Sequence, residues 1–457
     1  MTIYPPWRGA KTIRAHEIAL RQRKADLKRN GGWQDSSTHD DFRVVSAAGA
    51  ISLRRLLFVL VAAFAILIAP AIAQSDRDEL ALYRAGRWFE LRMIVTARSP
   101  ALIRGAVAAA FNDRARAERL LRSVIRSQPS TEAADDAYAL LCRTYLNSGL
   151  YARFASTYRE WGTAFPGSTK YRERRTSFDM FEGRPDQIDG RTRSVTVRHA
   201  RDSFTVPVTI NGKSDDFLLD TGALHSVMTD REARKLGLTI GDEIRSMTGS
   251  SGDSTRFRTA IAKNVTVGTT SFQNVSFAVM EPVGPWRDAE GGIVGLPLFI
   301  GLGAIRWSND GTADLGRIRS TAAAKEPNLA FDRDRGLLLK AEAMSQTVVL
   351  ALDTGAVSTD LNENFATQFR SLVDRGTRTT QAITGVGGTR TFDALELPEV
   401  AFTIGSKQVF LRPATITLQR IVQIGGECCV GNAGLDLLMR QSASVTIDLT
   451  TMTLRLQ

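Results

Sequence analysis

The stretch "FLLDTGALHSVMTD", Phe217 to Asp230, ends an apolar run in Asp-Thr-Gly, and "VVLALDTGAVSTDL", Val348 to Leu361, repeats the arrangement 133 residues later. A single Asp-Thr-Gly reads best as a turn, since Asp and Gly are ordinary turn residues. At average composition the triplet arises by chance about 0.1 times in a chain of this length, and a pair about ten times less often. Both copies here also sit in the longer string Leu-Asp-Thr-Gly-Ala.

Other features recur at nearly the same offset. "MTGSSGDSTRF" with Thr248-Gly249 matches "ITGVGGTRTF" with Thr384-Gly385 at 136, and "VTVG" ending at Gly268 matches "FTIG" ending at Gly405 at 137. "VGLPLF" around Gly295 matches "AGLDLL" around Gly434 at 139, and a strand starting at Ile305 matches one starting at Val445 at 140. Conserved order with slow drift is the mark of an internal structural repeat whose loops differ slightly in length.

Paired carboxylates have a specific chemistry. Two of them a few ångströms apart cannot both ionise cheaply, so they share a proton, one serving as base and the other as acid. That arrangement adds water to an amide without a covalent intermediate. Asp220 and Asp353 are the candidates. Gly222 and Gly355 allow each loop to approach its twin, while Thr221 and Thr354 offer hydroxyls that can bond across the join.

With these motifs in view, the region from about residue 195 to 457 resembles an aspartic peptidase of the retropepsin and pepsin type. It carries two Asp-Thr-Gly-Ala loops, ending at Ala223 and Ala356, and the apolar-apolar-Gly triplet Ile293-Val294-Gly295. The resemblance implies a mainly β, bilobal fold with the cleft between lobes, and a triplet that passes close to the active loop. In the second lobe the triplet is either Cys429-Val430-Gly431 or Asn432-Ala433-Gly434, and the residues alone leave both open. The family also closes a β-hairpin flap over its substrate. Pepsin-like members carry a tyrosine there, yet no tyrosine follows Tyr171. The glycine-rich segments are the flap candidates instead, through Thr248, Gly249, Thr384, Gly385 and Gly387.

Rival chemistries are poorly supplied. After Ala73 the only histidines are His199 and His225, with no HExxH, no Cys/His cluster and no GxSxG, so no metal or other cofactor is expected. His225 reads as a packed or capping residue. The three cysteines, Cys142, Cys428 and Cys429, form no disulfide framework and read as small apolar side chains.

From Ser75 to Phe181 apolar residues recur at three and four spacing, the helical period. "AYALLCRTYLNSGLYARFASTYREWGTAFP" predicts a helix, a turn at Asn147-Ser148-Gly149 and a second helix closed by Pro166. It resembles a tetratricopeptide repeat through Leu141, Tyr145, Gly149, Tyr158 and Pro166, although Cys142 stands where a small residue is usual. An earlier unit offers Gly105, Ala117 and Pro129, and the alternative is an ordinary helical bundle. From Ser75 onward the chain resembles bacterial retropepsin-like proteases fused behind tetratricopeptide-like helices.

The formal charge of +11 suggests nucleic acid until it is divided. Residues 1–75 hold 11 Lys or Arg against 5 Asp or Glu, leaving only +5 for the remaining 382, so no nucleic-acid partner is expected. Arg54 and Arg55, the apolar run Leu56–Ile68 and Ala71-Ile72-Ala73 read as a secretory signal cut before Gln74, or as an uncleaved anchor. The membrane is then touched only through that segment, and the expected destination is the periplasm. Fifty residues ahead of a signal are unusual, which suggests a start placed too far upstream.

The expected organisation is a multidomain one. It comprises a basic tail over 1–50, the signal or anchor over 51–73, a tetratricopeptide-like helical domain over 75–181, a linker over 182–194, and protease lobes over 195–318 and 319–457. The expected activity is aspartic endopeptidase, acting on a peptide or protein substrate, with a possible protein partner on the helical repeats. The competing expectation is a non-catalytic peptide-binding or scaffold protein built on a degenerate protease fold.

Overall fold

The computed structural model describes residues 78–199, 203–248, 254–281, 290–316, 318, 326–333, 336–385, 388–418 and 429–457. The expected tail and signal, Cys428, and the flap positions Gly249 and Gly387 lie outside them. None of the described helices is long and apolar enough to cross a membrane.

Helices run from residue 78 to Phe181 and strands dominate thereafter. After the short helix Trp88–Ile94 come two helix–turn–helix pairs, Ala101–Ala110 with Arg114–Ser127, and Glu132–Asn147 with Tyr151–Ala164. Their ends follow from capping chemistry. Asp113 and Thr131 accept backbone N–H bonds in the next turn, and Gly149 adopts φ +67°, which favours a residue without a side chain. Close packing explains Gly105, where a Cβ would stand 2.8 Å from a Leu121 methyl.

The helices are packed on the β region. Trp88 Nε1 donates to Asp332 Oδ1 at 3.2 Å, and the Arg333 guanidinium lies 4.6 Å from the Tyr83 ring centre and 5.3 Å from that of Trp88. Asn112 Nδ2 donates to the Leu449 carbonyl at 2.8 Å. The N-terminus of the helix Tyr151–Ala164 is closed by Asp186, whose Oδ1 accepts from Ala152 N at 2.8 Å.

Each repeat opens with a hairpin. In the first, Thr205–Ile210 alternates buried and half-buried side chains, turns at Asn211-Gly212, both at positive φ, and returns as Lys213–Leu219. In the second, Leu337–Ala343 turns at Met344-Ser345, again both at positive φ, and returns as Gln346–Leu352. Each return strand delivers an Asp-Thr-Gly loop. A short strand follows, Ser226–Thr229 in one repeat and Asp360–Leu361 in the other. Between that strand and the return strand lies the strand of the downstream triplet.

The repeats join in two places. One is a five-stranded sheet, made of Val195–Arg198, Thr312–Leu315 and Ala304–Ser308 with Ser444–Asp448 and Thr453–Leu456. Within it Arg306 pairs with Thr446, its own counterpart at an offset of 140, as a local twofold axis requires. Trp307 packs edge-on beneath this sheet against Phe204 and Phe299.

The second join is between the loops. Thr221 N donates to Thr354 Oγ1 at 3.0 Å and Thr354 N to Thr221 Oγ1 at 3.1 Å. Each hydroxyl in turn donates beyond its partner's loop, Thr221 to the Leu352 carbonyl at 2.7 Å and Thr354 to the Leu219 carbonyl at 2.5 Å. Both threonines are fully or almost fully buried, so neither water nor another group replaces a lost bond. Thr354→Val, of nearly equal volume, strands one buried N–H and one carbonyl and should cost about 2–4 kcal/mol. Urea unfolding of the variant checks this. Thr354→Ser keeps the hydroxyl and should lose much less, and equal losses in the two variants would show that packing, not the exchanged bonds, holds the loops.

Candidate active site

Asp220 and Asp353 stand side by side at the ends of their strands. The separation is set by glycine. A Cβ on Gly355 would lie 2.5 Å from Asp220 Oδ2, and one on Gly222 would lie 2.9 Å from Asp353 Oδ1, so each carboxylate occupies the space an alanine would need. Asp220 Oδ1 accepts from Gly222 N at 2.7 Å and Ala223 N at 3.1 Å, while Asp353 Oδ1 accepts from Gly355 N at 2.9 Å. Ala356 N turns to the backbone carbonyl of Asp353 at 3.2 Å.

Burial raises the Asp220 carboxyl well above the usual carboxylate range, and the charge of Asp353 together with a hydrogen bond to it pushes the same way. The two backbone N–H bonds oppose this without cancelling it. Burial and the neighbouring carboxylate thus both favour the neutral form of Asp220.

The second-lobe triplet is Asn432-Ala433-Gly434. Asp220 N donates to the Val294 carbonyl and Asp353 N to that of Ala433, Gly295 N donates to Ser226 Oγ and Gly434 N to Thr359 Oγ1, and Leu296 N and Leu435 N donate to the carbonyls of Ala223 and Ala356. Gly295 and Gly434 are needed for the same reason. A Cβ on the first would stand 2.6 Å from the His225 carbonyl carbon, and on the second 2.5 Å from the Ser358 carbonyl oxygen. Cys429-Val430-Gly431 lies just upstream and plays no such part.

Of three further polar residues at the site, the sequence named Asn432 only within one of two alternative triplets, and Asp360 and Gln381 not at all. Asn432 Nδ2 donates to Asp353 Oδ2 at 3.0 Å, a contact with no counterpart in the first lobe, where Ile293 holds the equivalent place. Asp360, directly opposite Asn432, is buried and accepts from Gln381 Nε2 at 2.8 Å. Burial first, then the charges of Asp436 and Asp353, push its carboxyl up to about 7. The available signal was the break in the repeat itself, Asp360 against Val227 and Asn432 against Ile293.

The flap candidates belong to two hairpins, Arg245–Thr248 with Ser254–Val267, and Thr377–Gly385 with Gly388–Leu397. In the second, Thr384 and Thr389 share a hydroxyl hydrogen bond of 2.8 Å, and Gly385 pairs with Gly388 at the outer end. Gln381, on the same hairpin, ties it to the wall beside Asp353.

His225 is packed, its ring edge-on to Phe181 at 6.0 Å, and burial lowers its pKa to about 4. Cys142 is a buried free thiol in the apolar core, as expected, and burial pushes it up to about 12. Cys429 departs from the expectation of a small apolar residue, for it is disulfide-bonded, its partner lying outside the described residues. Among the described residues no three His, Cys, Asp or Glu side chains are grouped to hold a metal ion.

A family model described as Aspartyl protease matches residues 206–298. Among solved structures, the crystal structure of a retropepsin-like aspartic protease from Rickettsia conorii matches at 20% identity, covering 28% of this chain and 93% of that one, with a TM-score of 0.21. No curated protein matches. The family match takes in the Asp220 loop and Ile293-Val294-Gly295, and the Asp353 loop is tied to it by the duplication.

Proposed function

We propose that the chain is an aspartic endopeptidase, a single-chain enzyme in which Asp353 removes a proton from a bound water as Asp220 donates its own toward the carbonyl oxygen of the scissile amide. The observation that carries this reading is the pair of carboxylates on duplicated loops, each filling the space left by the other loop's glycine. The Aspartyl protease match around Asp220 supports it. An extended peptide would lie across both aspartates as an added strand, with hairpins of the two lobes above it. The scaffold alternative is disfavoured because both carboxylates and their supporting bonds are intact.

In the same reading the chain is exported. Its support is the charged, apolar and small-residue order of residues 54–73. Mass spectrometry of the native protein should find an N-terminus at Gln74, and residues 1–50 on the exported chain would favour the anchor.

Casein or a peptide library, incubated with and without pepstatin, tests the activity. Asp220→Asn and Asp353→Asn should each lower kcat/KM by about a thousandfold or more, because neither variant can hold the shared proton between two carboxyls. Turnover near wild type in either single variant would remove the dyad from the mechanism.

The working pH follows from the same geometry. Activity is lost on the alkaline side when Asp220 gives up its proton, and that step lies high because burial and Asp353 disfavour the anion. A hydroxyl introduced after each glycine, by Ala223→Ser with Ala356→Ser, would donate to the charged form and lower the pair's upper apparent pKa. The alkaline limb of kcat/KM should therefore move toward acid. A limb that stays put, or moves the other way, in a folded and active double variant would show that other groups set it.

A further inference from the structure

The twofold repeat allows the two walls of the cleft to be compared position by position. In the first lobe Val227 stands directly opposite Ile293 on one neighbouring strand and Ala278 on the other. In the second lobe the equivalent residue is Asp360, directly opposite Asn432 and Thr415. Residues opposite one another across a ladder share a face, as do residues two apart along a strand, so Met280 joins the first group and Thr417 the second. Four apolar side chains are thus matched by four polar ones.

Asn432 reaches the outer oxygen of Asp353, which places this polar face beside the reacting atoms. Gln381 closes it from the hairpin side by its bond to Asp360. Among the described residues no lysine, arginine or histidine pairs with Asp360, whose charged neighbours are the carboxylates Asp353 and Asp436. The Thr417 hydroxyl is buried on the same face with no hydrogen-bond partner among the described residues. A buried carboxylate among other carboxylates, beside an unanswered hydroxyl, is a place short of a positive, hydrogen-bond-donating group.

We propose that this second-lobe wall, Asp360 with Asn432, Thr415 and Thr417, is a specificity subsite for a basic substrate side chain, lysine or arginine, next to the scissile bond. The first-lobe wall, Val227 with Ile293, Ala278 and Met280, takes an apolar side chain on the other side of that bond. The proposal rests on the peptidase reading and deepens it. A peptide bound in the cleft would bring a cation to Asp360. The same wall rejects an acidic side chain by charge, and a leucine there would leave the buried polar groups unpaired.

The test uses the full chain and peptides of one cleaved sequence that carry Lys, Leu or Asp in turn at each of the three positions on either side of the cut. At one position Lys should raise kcat/KM over Leu and Asp by about tenfold or more. Asp360→Val, which installs the residue of the first lobe, should bring the ratio of Lys to Leu down to about one or below. The same order should appear in the affinities of the peptides for the Asp220→Asn variant, read by fluorescence anisotropy without turnover. Absence of cleavage by the wild-type chain would sink the peptidase reading, whereas the binding order still decides the subsite. Equal values for Lys and Leu at every position, or a Lys preference that survives Asp360→Val, overturns the proposal. Should the valine variant fail to fold, Asp360→Asn serves the same comparison, and the wild-type preference alone remains decisive.

Discussion

Two carboxylates that must approach closely enough to share a proton repel one another in their ionised forms, so something uncharged has to hold their loops together. The reciprocal exchange between Thr221 and Thr354 does this. Four hydrogen bonds, all among buried atoms, tie each loop to the other and to the end of the other's strand. Their neutrality matters, because an ion pair in the same place would add its own field to the dyad and change where the proton resides. The glycines then follow as a consequence, since a clasp this short leaves no room for a side chain between Gly222 and Asp353 or between Gly355 and Asp220.

The duplication was legible in the sequence because it depends on short strings that the chemistry does not allow to vary. The Asp-Thr-Gly loops, their offset, and the change from helical to alternating periodicity near residue 190 all reappear in the structure. The Asn211-Gly212 hairpin was legible too, for it uses the residues that favour positive φ. Its twin was not. Met344-Ser345 makes the same turn with residues that carry no such preference, and only the surrounding strand pairing imposes it.

What escaped the sequence was whatever depends on register. Whether Cys429-Val430-Gly431 or Asn432-Ala433-Gly434 passes the active loop is a question of register, of which residues of the strand Gly431–Ala433 lie beside which of its neighbours, and composition has no bearing on it. A one-residue slip would turn Asn432 away from Asp353. The disulfide state of Cys429 escaped for a related reason, since cysteine count says nothing of local geometry. Asp360 was visible as a letter, in "AVSTDL" against "ALHSVM", but its meaning required knowing that it lies opposite Asn432, which reaches Asp353.

Duplication also explains how such asymmetry can arise without loss of the fold. The bonds that set the backbone of each half are made by main-chain atoms, threonine or serine hydroxyls and glycines, and these match in both repeats. The side chains that line the cleft take no part in them. One wall is therefore free to become polar while the other stays apolar.

The helical region bears on the same loops from behind. Phe181, at its last helical turn, meets His225, and the His225 backbone passes within 2.6 Å of the place a Cβ on Gly295 would occupy. Gly295 in turn leads into Leu296, whose N–H is bonded to the carbonyl of Ala223 in the Asp220 loop. Two side-chain and backbone contacts thus separate the helices from the dyad. Asp186 and Gln187 reinforce the join, the first by capping the helix Tyr151–Ala164 and the second by donating its N–H to the Gly149 carbonyl at 2.9 Å. A helical region tied on this way is part of the wall behind the first aspartate.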